Sequence, residues 1–121
     1  MIIIGIDPGS ANTAFGVIKK NQGQLNLIDY GVIDINKQSE KYPAGRKDNH
    51  KLLEIFNGLT KLFKKYKPEI VAIEDIFFFK NKKTAIGIAQ TKGVIILSAL
   101  KQKIKIYEYT PLQIKQAVAS Y

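Results

Sequence analysis

Ile2-Ile3-Ile4-Gly5-Ile6-Asp7-Pro8-Gly9-Ser10 decides the fold class of this 121-residue chain. A β-branched run that is apolar at consecutive positions would have both faces covered, which is the pattern of a central strand. Pro8-Gly9-Ser10 is expected to break it and to leave Asp7 at its end. Thr13 to Lys19 reads as a second strand, Asn21-Gln22-Gly23 as a hairpin turn, and Leu25 to Ile35 as a third strand. These form an antiparallel meander. Ile70 to Ile73 is a short, all-apolar fourth strand followed directly by Glu74.

Helical spacing occupies the gaps. Tyr42 to Asp48, with Pro43 and Gly45, reads as a loop. From about Lys47 to Tyr66 the apolar residues Leu52, Ile55, Phe56, Leu59, Leu62, Phe63 and Tyr66 make one buried face, and Pro68 ends the helix. A second helix is expected from Lys83 to Lys101 and a fifth strand from Ile104 to Tyr109. Pro111 opens a last helix at a favourable first-turn position. The order βββαβαβα requires right-handed crossovers. The expectation is an α/β domain covering residues 1–121: a mixed five-stranded sheet flanked by helices, its fourth strand parallel to the first.

Bulk properties narrow the class. The chain is 45% hydrophobic and has no cysteine, which excludes disulfides and thiolate metal sites and fits a reducing compartment. The N-terminus does not read as a signal peptide. The longest apolar run, Val94 to Leu100, is far too short to span a bilayer, so a soluble, cytoplasmic protein without membrane association is expected. Nineteen basic residues against ten acidic ones give a net charge of +9, which favours polyanionic partners. Arg46 is the only arginine; lysine grips phosphates without the geometry that reads bases. DNA recognition should therefore rest on shape and backbone.

Asp7 and Glu74 each follow a run read as a central strand. Parallel neighbours end at the same sheet edge about 4.8 Å apart, where open α/β sheets bind ligands. Two carboxylates there repel unless a cation lies between them. Hard oxygen ligands suit Mg²⁺ or Mn²⁺, and a metal pair would serve phosphodiester hydrolysis. Acids after strands also act as simple caps, and Asp7 before Pro8 fits turn chemistry alone. Gly9, Ser10, Thr13 and Gly16 fit a turn that offers amides and hydroxyls to phosphate. Phe77-Phe78-Phe79 followed by Lys80-Asn81-Lys82-Lys83 fits base stacking beside lysines, with one phenylalanine exposed and two buried.

Ala85, Ala89 and Gly93 form a small-residue stripe on the second helix. Its Val94-Ile95-Ile96-Leu97 stretch is apolar nearly all round, which in so small a domain argues for a subunit interface. His50, the only histidine, has no metal-spaced companion and reads as surface or capping. Asp75 should point to the face opposite Glu74 and read as structural.

The segments Gly5-Ile6-Asp7-Pro8-Gly9-Ser10 with Thr13 and Gly16, Ala72-Ile73-Glu74-Asp75-Ile76-Phe77 with Lys80-Asn81, Ala89-Gln90-Thr91-Lys92-Gly93-Val94, and Tyr107-Glu108-Tyr109 through Pro111 to Gln113-Ile114-Lys115-Gln116 resemble the RuvC family of Holliday-junction resolvases, in family order and spacing. The resemblance spans almost the whole chain. It implies a ribonuclease-H-like fold, a homodimer and Mg²⁺-dependent paired nicking of four-way DNA junctions alongside a branch-migration motor. By it, Asp7 and Glu74 are metal-binding catalytic carboxylates and Phe77 stacks on junction bases. Lys115 lies near the scissile phosphate, and the helix around Ala85, Ala89, Gly93 and Ile96 is the dimer contact.

One departure stands out. The family completes its site with further acids on a later helix, and this chain ends at Ala119-Ser120-Tyr121, where that segment should begin. The expectation is an incomplete, weakly active form of the nuclease. The alternatives are a non-catalytic junction-binding module and a fragment of an actin-like ATPase or sugar kinase. The latter shares an Asp-x-Gly phosphate loop but needs a second lobe.

Overall fold

The structure, a computed structural model, describes residues 1–9, 12–33, 47–75 and 82–110, without the side chains of Lys47, Asp48 and Lys83. Its strands are β1 (Ile2–Pro8), β2 (Thr13–Asn21), β3 (Gln24–Val32), β4 (Ile70–Glu74) and β5 (Lys105–Tyr109); its helices are α1 (Lys47–Tyr66) and α2 (Lys82–Lys101). The strands form one sheet in the order β3-β2-β1-β4-β5. The isoleucine run is the central strand. It pairs antiparallel with β2 and parallel with β4, and β4 pairs parallel with β5.

Local chemistry sets the connections. Gln22 and Gly23 both sit at positive φ, 49° and 83°. That conformation makes a two-residue hairpin whose twist matches its strands, and it closes the Asn21↔Gln24 pair. Ile28 is an extra residue opposite the Val17/Ile18 step, a β-bulge in the edge strand β3. Each helix is followed by a lysine in the left-handed region, Lys67 directly after α1 at φ 47° and Lys103 two residues after α2 at φ 58°.

Alternation along the strands separates two faces. Ile4, Ile6, Val17, Val71 and Ile73 are buried against Ile55, Leu59, Phe63, Ile95 and Ala99, so both helices pack on one face. Gly58 allows α1 to approach β3: a Cβ there would lie 2.7 Å from Ile33 Cγ2. The opposite face carries Gly5 and Asp7, Ala14 and Gly16, Ala72 and Glu74.

Several boundaries differ from the sequence reading. Pro8 does not break β1 but ends it, paired with Thr13, because a strand tolerates a missing N–H at its terminus. Asp7 is therefore the penultimate residue of β1 and Glu74 the last of β4, not the residues after strands. α1 starts at Lys47 and ends at Tyr66, as its apolar spacing predicts, so the polar segment read as a loop to Asp48 overlaps its first two residues; β3 ends at Val32. Residues 34–46 and the expected last helix from Pro111 lie outside the described residues.

Candidate active site

The register puts the carboxylates side by side. Ile6 on β1 is level with Ile73 on β4, and Asp7 and Glu74 are the next residue on each strand. Strand alternation then turns both away from the helices. They line an open cleft of about 280 Å³ whose floor is Gly5, Ala14, Gly16 and Ala72 and whose rim includes Tyr109. The floor follows from pairing: Gly5 faces Gly16 on one side and Ala72 on the other, and Asp7 faces Ala14. A Cβ added at Gly5 would meet nothing within 4 Å, so the space above the floor is open.

Electrostatics make the pair costly. The Glu74 carboxyl lies above its usual range, first because it is partly buried, then because of the Asp7 charge and the hydrogen bond between the two groups. Among the described residues no set of three or more His, Cys, Asp or Glu side chains gathers to hold a metal, and Asp7 and Glu74 are the two carboxylates that line the cleft. Hard oxygen donors, one of them partly dehydrated and beside a second carboxylate, suit a divalent cation.

The flanking acids are arranged differently. Lys92 Nζ on α2 lies 3.0 Å from Asp75 Oδ1 and 3.0 Å from Glu108 Oε1. Burial works against the Lys92 charge, but hydrogen bonds to Glu108 and Asp75 outweigh it and hold the ammonium above its usual range. The Asp75 N–H also donates to the Tyr109 carbonyl at 2.6 Å. Asp75, Lys92 and Glu108 thus tie the ends of β4 and β5 to α2, immediately beside Glu74.

Other expected site residues are placed as follows. Thr13 is only 2% exposed; alternation turns its side chain to the helix-covered face, so its hydroxyl does not reach the cleft. Gly9 serves close approach rather than positive φ, because a Cβ there would sit 2.5 Å from the Asn12 carbonyl oxygen. Lys82 is exposed at the start of α2. On α2, Ala89 and Gly93 are exposed, Ala85 and Ile96 half-buried, and Ile86, Leu97 and Leu100 exposed at 60%, 54% and 60%. Ser10, Phe77, Phe78, Phe79, Lys80, Asn81 and Lys115 lie outside the described residues. His50 is half-buried in the first turns of α1. Sequence reasoning missed Tyr109 and the small-residue floor; their signal was the i, i+2 alternation of Gly5 with Asp7 and of Ala72 with Glu74.

Comparison with known proteins converges on one family. The profile of the family described as crossover junction endodeoxyribonuclease RuvC matches residues 3–121. The protein of that name from Petrotoga mobilis is 47% identical over 121 residues, which are 100% of this chain and 70% of the relative. The one from Caldicellulosiruptor saccharolyticus is 43% identical over 122 residues, 100% of this chain and 69% of the relative. Among solved structures, T. thermophilus RuvC in complex with a Holliday junction substrate superimposes with a TM-score of 0.83 at 25% identity, covering 98% of this chain and 72% of that one. A Thermus thermophilus RuvC structure gives 0.79 at 26% identity, covering 100% and 70%. The likeness fixes the fold as ribonuclease-H-like and sets aside the actin-like reading. The chain belongs to the crossover junction endodeoxyribonuclease RuvC family.

Proposed function

We propose that this chain carries the carboxylate half of the active site of a structure-selective endonuclease that resolves four-way Holliday junctions by phosphodiester hydrolysis. The observation that supports this most is the pairing of Asp7 and Glu74, level on parallel strands over an open floor. The family's reaction calls for a divalent cation; Mg²⁺ is the reading here, with Mn²⁺ as a substitute. Asp7 and Glu74 would hold it. When bound, such a cation activates water and neutralises charge on the leaving oxygen. The chain's own residues do the rest: the small floor admits a phosphodiester, Tyr109 borders the cleft, and the Lys92 clamp fixes the strand end that carries Glu74. Ser10, Phe77, Lys80, Asn81, Lys82, Lys83 and Lys115 are the proposed DNA contacts.

The family adds acids beyond the segment matched here, and the relatives are longer than this chain. The 121 residues alone should therefore nick junctions weakly. A homodimer through α2 is part of the proposal, since Ile86, Ala89, Gly93, Leu97 and Leu100 repeat at helical spacing on its exposed side. A branch-migration motor is the proposed partner in the cell.

The test is a binding titration at moderate salt with a four-way junction and a plain duplex of equal length. Preferential junction binding is expected. Equal affinity would remove the junction reading, and efficient Mg²⁺-dependent cleavage by the 121-residue chain would remove the incomplete-site reading.

A further inference from the structure

Six exposed lysines lie at the end of the sheet away from the carboxylates. Lys19, Lys20, Lys64, Lys67, Lys103 and Lys105 are all exposed and gather where β1, β4 and β5 begin and where both helices end. The register places them together: Lys19 is level with Ile2, Lys105 with Ile70, and the Lys20 N–H donates to the Met1 carbonyl at 2.8 Å. Glu69 is the acid in their midst. Asp7 is five residues further along β1, about 17 Å away.

Two of these lysines occupy positions that local physics would give to another residue. Lys67 and Lys103 follow the helices at φ 47° and 58°, where glycine or asparagine is favoured and a long side chain is strained. Lysine near a helix C-terminus does complement the dipole, which accounts for Lys64 and part of Lys67. It does not account for Lys19, Lys20 or Lys105 on strand ends. By contrast Lys65 and Lys101 already lie over the rings of Tyr66 and Phe56. A local rule broken at both helix ends points to a use for the charge.

We propose that this pole is a second, non-catalytic surface for the DNA phosphate backbone. It offers lysines in place of arginines, so it grips phosphate without reading bases. Its six lysines against Glu69 favour a polyanion over an ordinary protein surface. Its role is to hold a length of duplex other than the one at the carboxylates. The proposal takes DNA as the polyanion from the functional reading above, but it stands or falls separately.

The experiment compares the full 121-residue chain with K67G/K103G, titrated against plain duplex DNA over a range of salt. Each phosphate contact contributes about 0.9 to the slope of log affinity against log salt. The pole variant should lose roughly 1.8 of that slope and bind severalfold more weakly, while melting at or above the parent temperature, because glycine relieves both left-handed positions. K51Q removes one charge near the start of α1, at the far end of that helix from the pole, and should change the slope by well under half as much. K19R/K20R should keep it. An unchanged slope in K67G/K103G, or a loss in K51Q of half that size or more, would overturn the proposal. So would loss of binding to phosphatidylserine vesicles with duplex binding intact, which would make the pole a membrane surface. Loss of junction preference with the pole effect intact would leave this proposal standing and remove the junction reading.

Discussion

The two ends of one sheet are built to opposite rules. At the end where β1 and β4 finish, two carboxylates share one face, one of them partly buried, over residues too small to shield them. At the end where those strands begin, backbone groups are closed by hydrogen bonds: Glu69 N–H to the Ile2 carbonyl, Ile104 N–H to Ala99, Lys67 N–H to Phe63. The carboxylate end accepts like charges side by side, which costs stability and gives a cation somewhere to bind. The lysine end keeps its charges exposed, where they cost little. Their difference separates what holds the fold from what the fold is for.

The largest expected effect leaves that contrast untouched and marks its foundation. Phe63, 1% exposed, is in the core that carries the sheet, and Phe63→Ala should lower stability by about 3–5 kcal/mol in denaturant titration. Next comes the carboxylate end. Saturating Mn²⁺ at about a hundredfold over its dissociation constant should stabilise the chain by roughly 2.7 kcal/mol, and Asp7→Asn or Glu74→Gln should abolish that gain. Without metal, Glu74→Gln should leave the chain as stable or slightly more stable, since a like charge is removed. If it destabilises instead, the two ends do not differ as described.

Acid should sharpen the same point. The Glu74 carboxyl is raised in the folded chain, so the folded state holds this proton more tightly than the unfolded state. The cost of the pair is present above the folded value and vanishes as pH falls through it. Asp7→Asn should lower the Glu74 midpoint in an NMR titration. Lys92→Met leaves Asp75 and Glu108 without their shared cation and should cost about 1 kcal/mol, while weakening Mn²⁺ binding through the displaced end of β4. The smallest effect is at Asp29, held below the usual carboxylate range first by the Tyr66 hydrogen bond. Tyr66→Phe should return it towards the ordinary value. Its stabilising share is present above the unfolded value and lost as pH falls through the folded one.

How far the sequence carried this reading follows from the kind of signal at each place. The isoleucine run, the helical spacing of Leu52 to Tyr66 and the Asn21-Gln22-Gly23 turn are local patterns, and they led to the sheet and to the β1–β4 neighbourhood. Asp7 and Glu74 were legible because each ends an apolar run. Pro8 stops the first strand as its last residue rather than as the first beyond it, a one-residue difference that local sequence does not resolve. Thr13 was misread because a hydroxyl after a glycine-serine turn says nothing about which face a one-residue phase will choose. The cleft floor and the lysine pole both depend on register between strands far apart in sequence, which no local pattern carries.

The central claim is that Asp7 and Glu74 form one divalent-cation site. An NMR titration of the 121-residue chain with Mn²⁺ tests it most directly. The predicted result is saturable broadening centred on the backbone signals of Gly5, Asp7, Ala72, Glu74 and Tyr109 and weakening with distance from them, reversed by excess Mg²⁺ and absent in Asp7→Asn. Broadening centred elsewhere, or none that saturates, would contradict it.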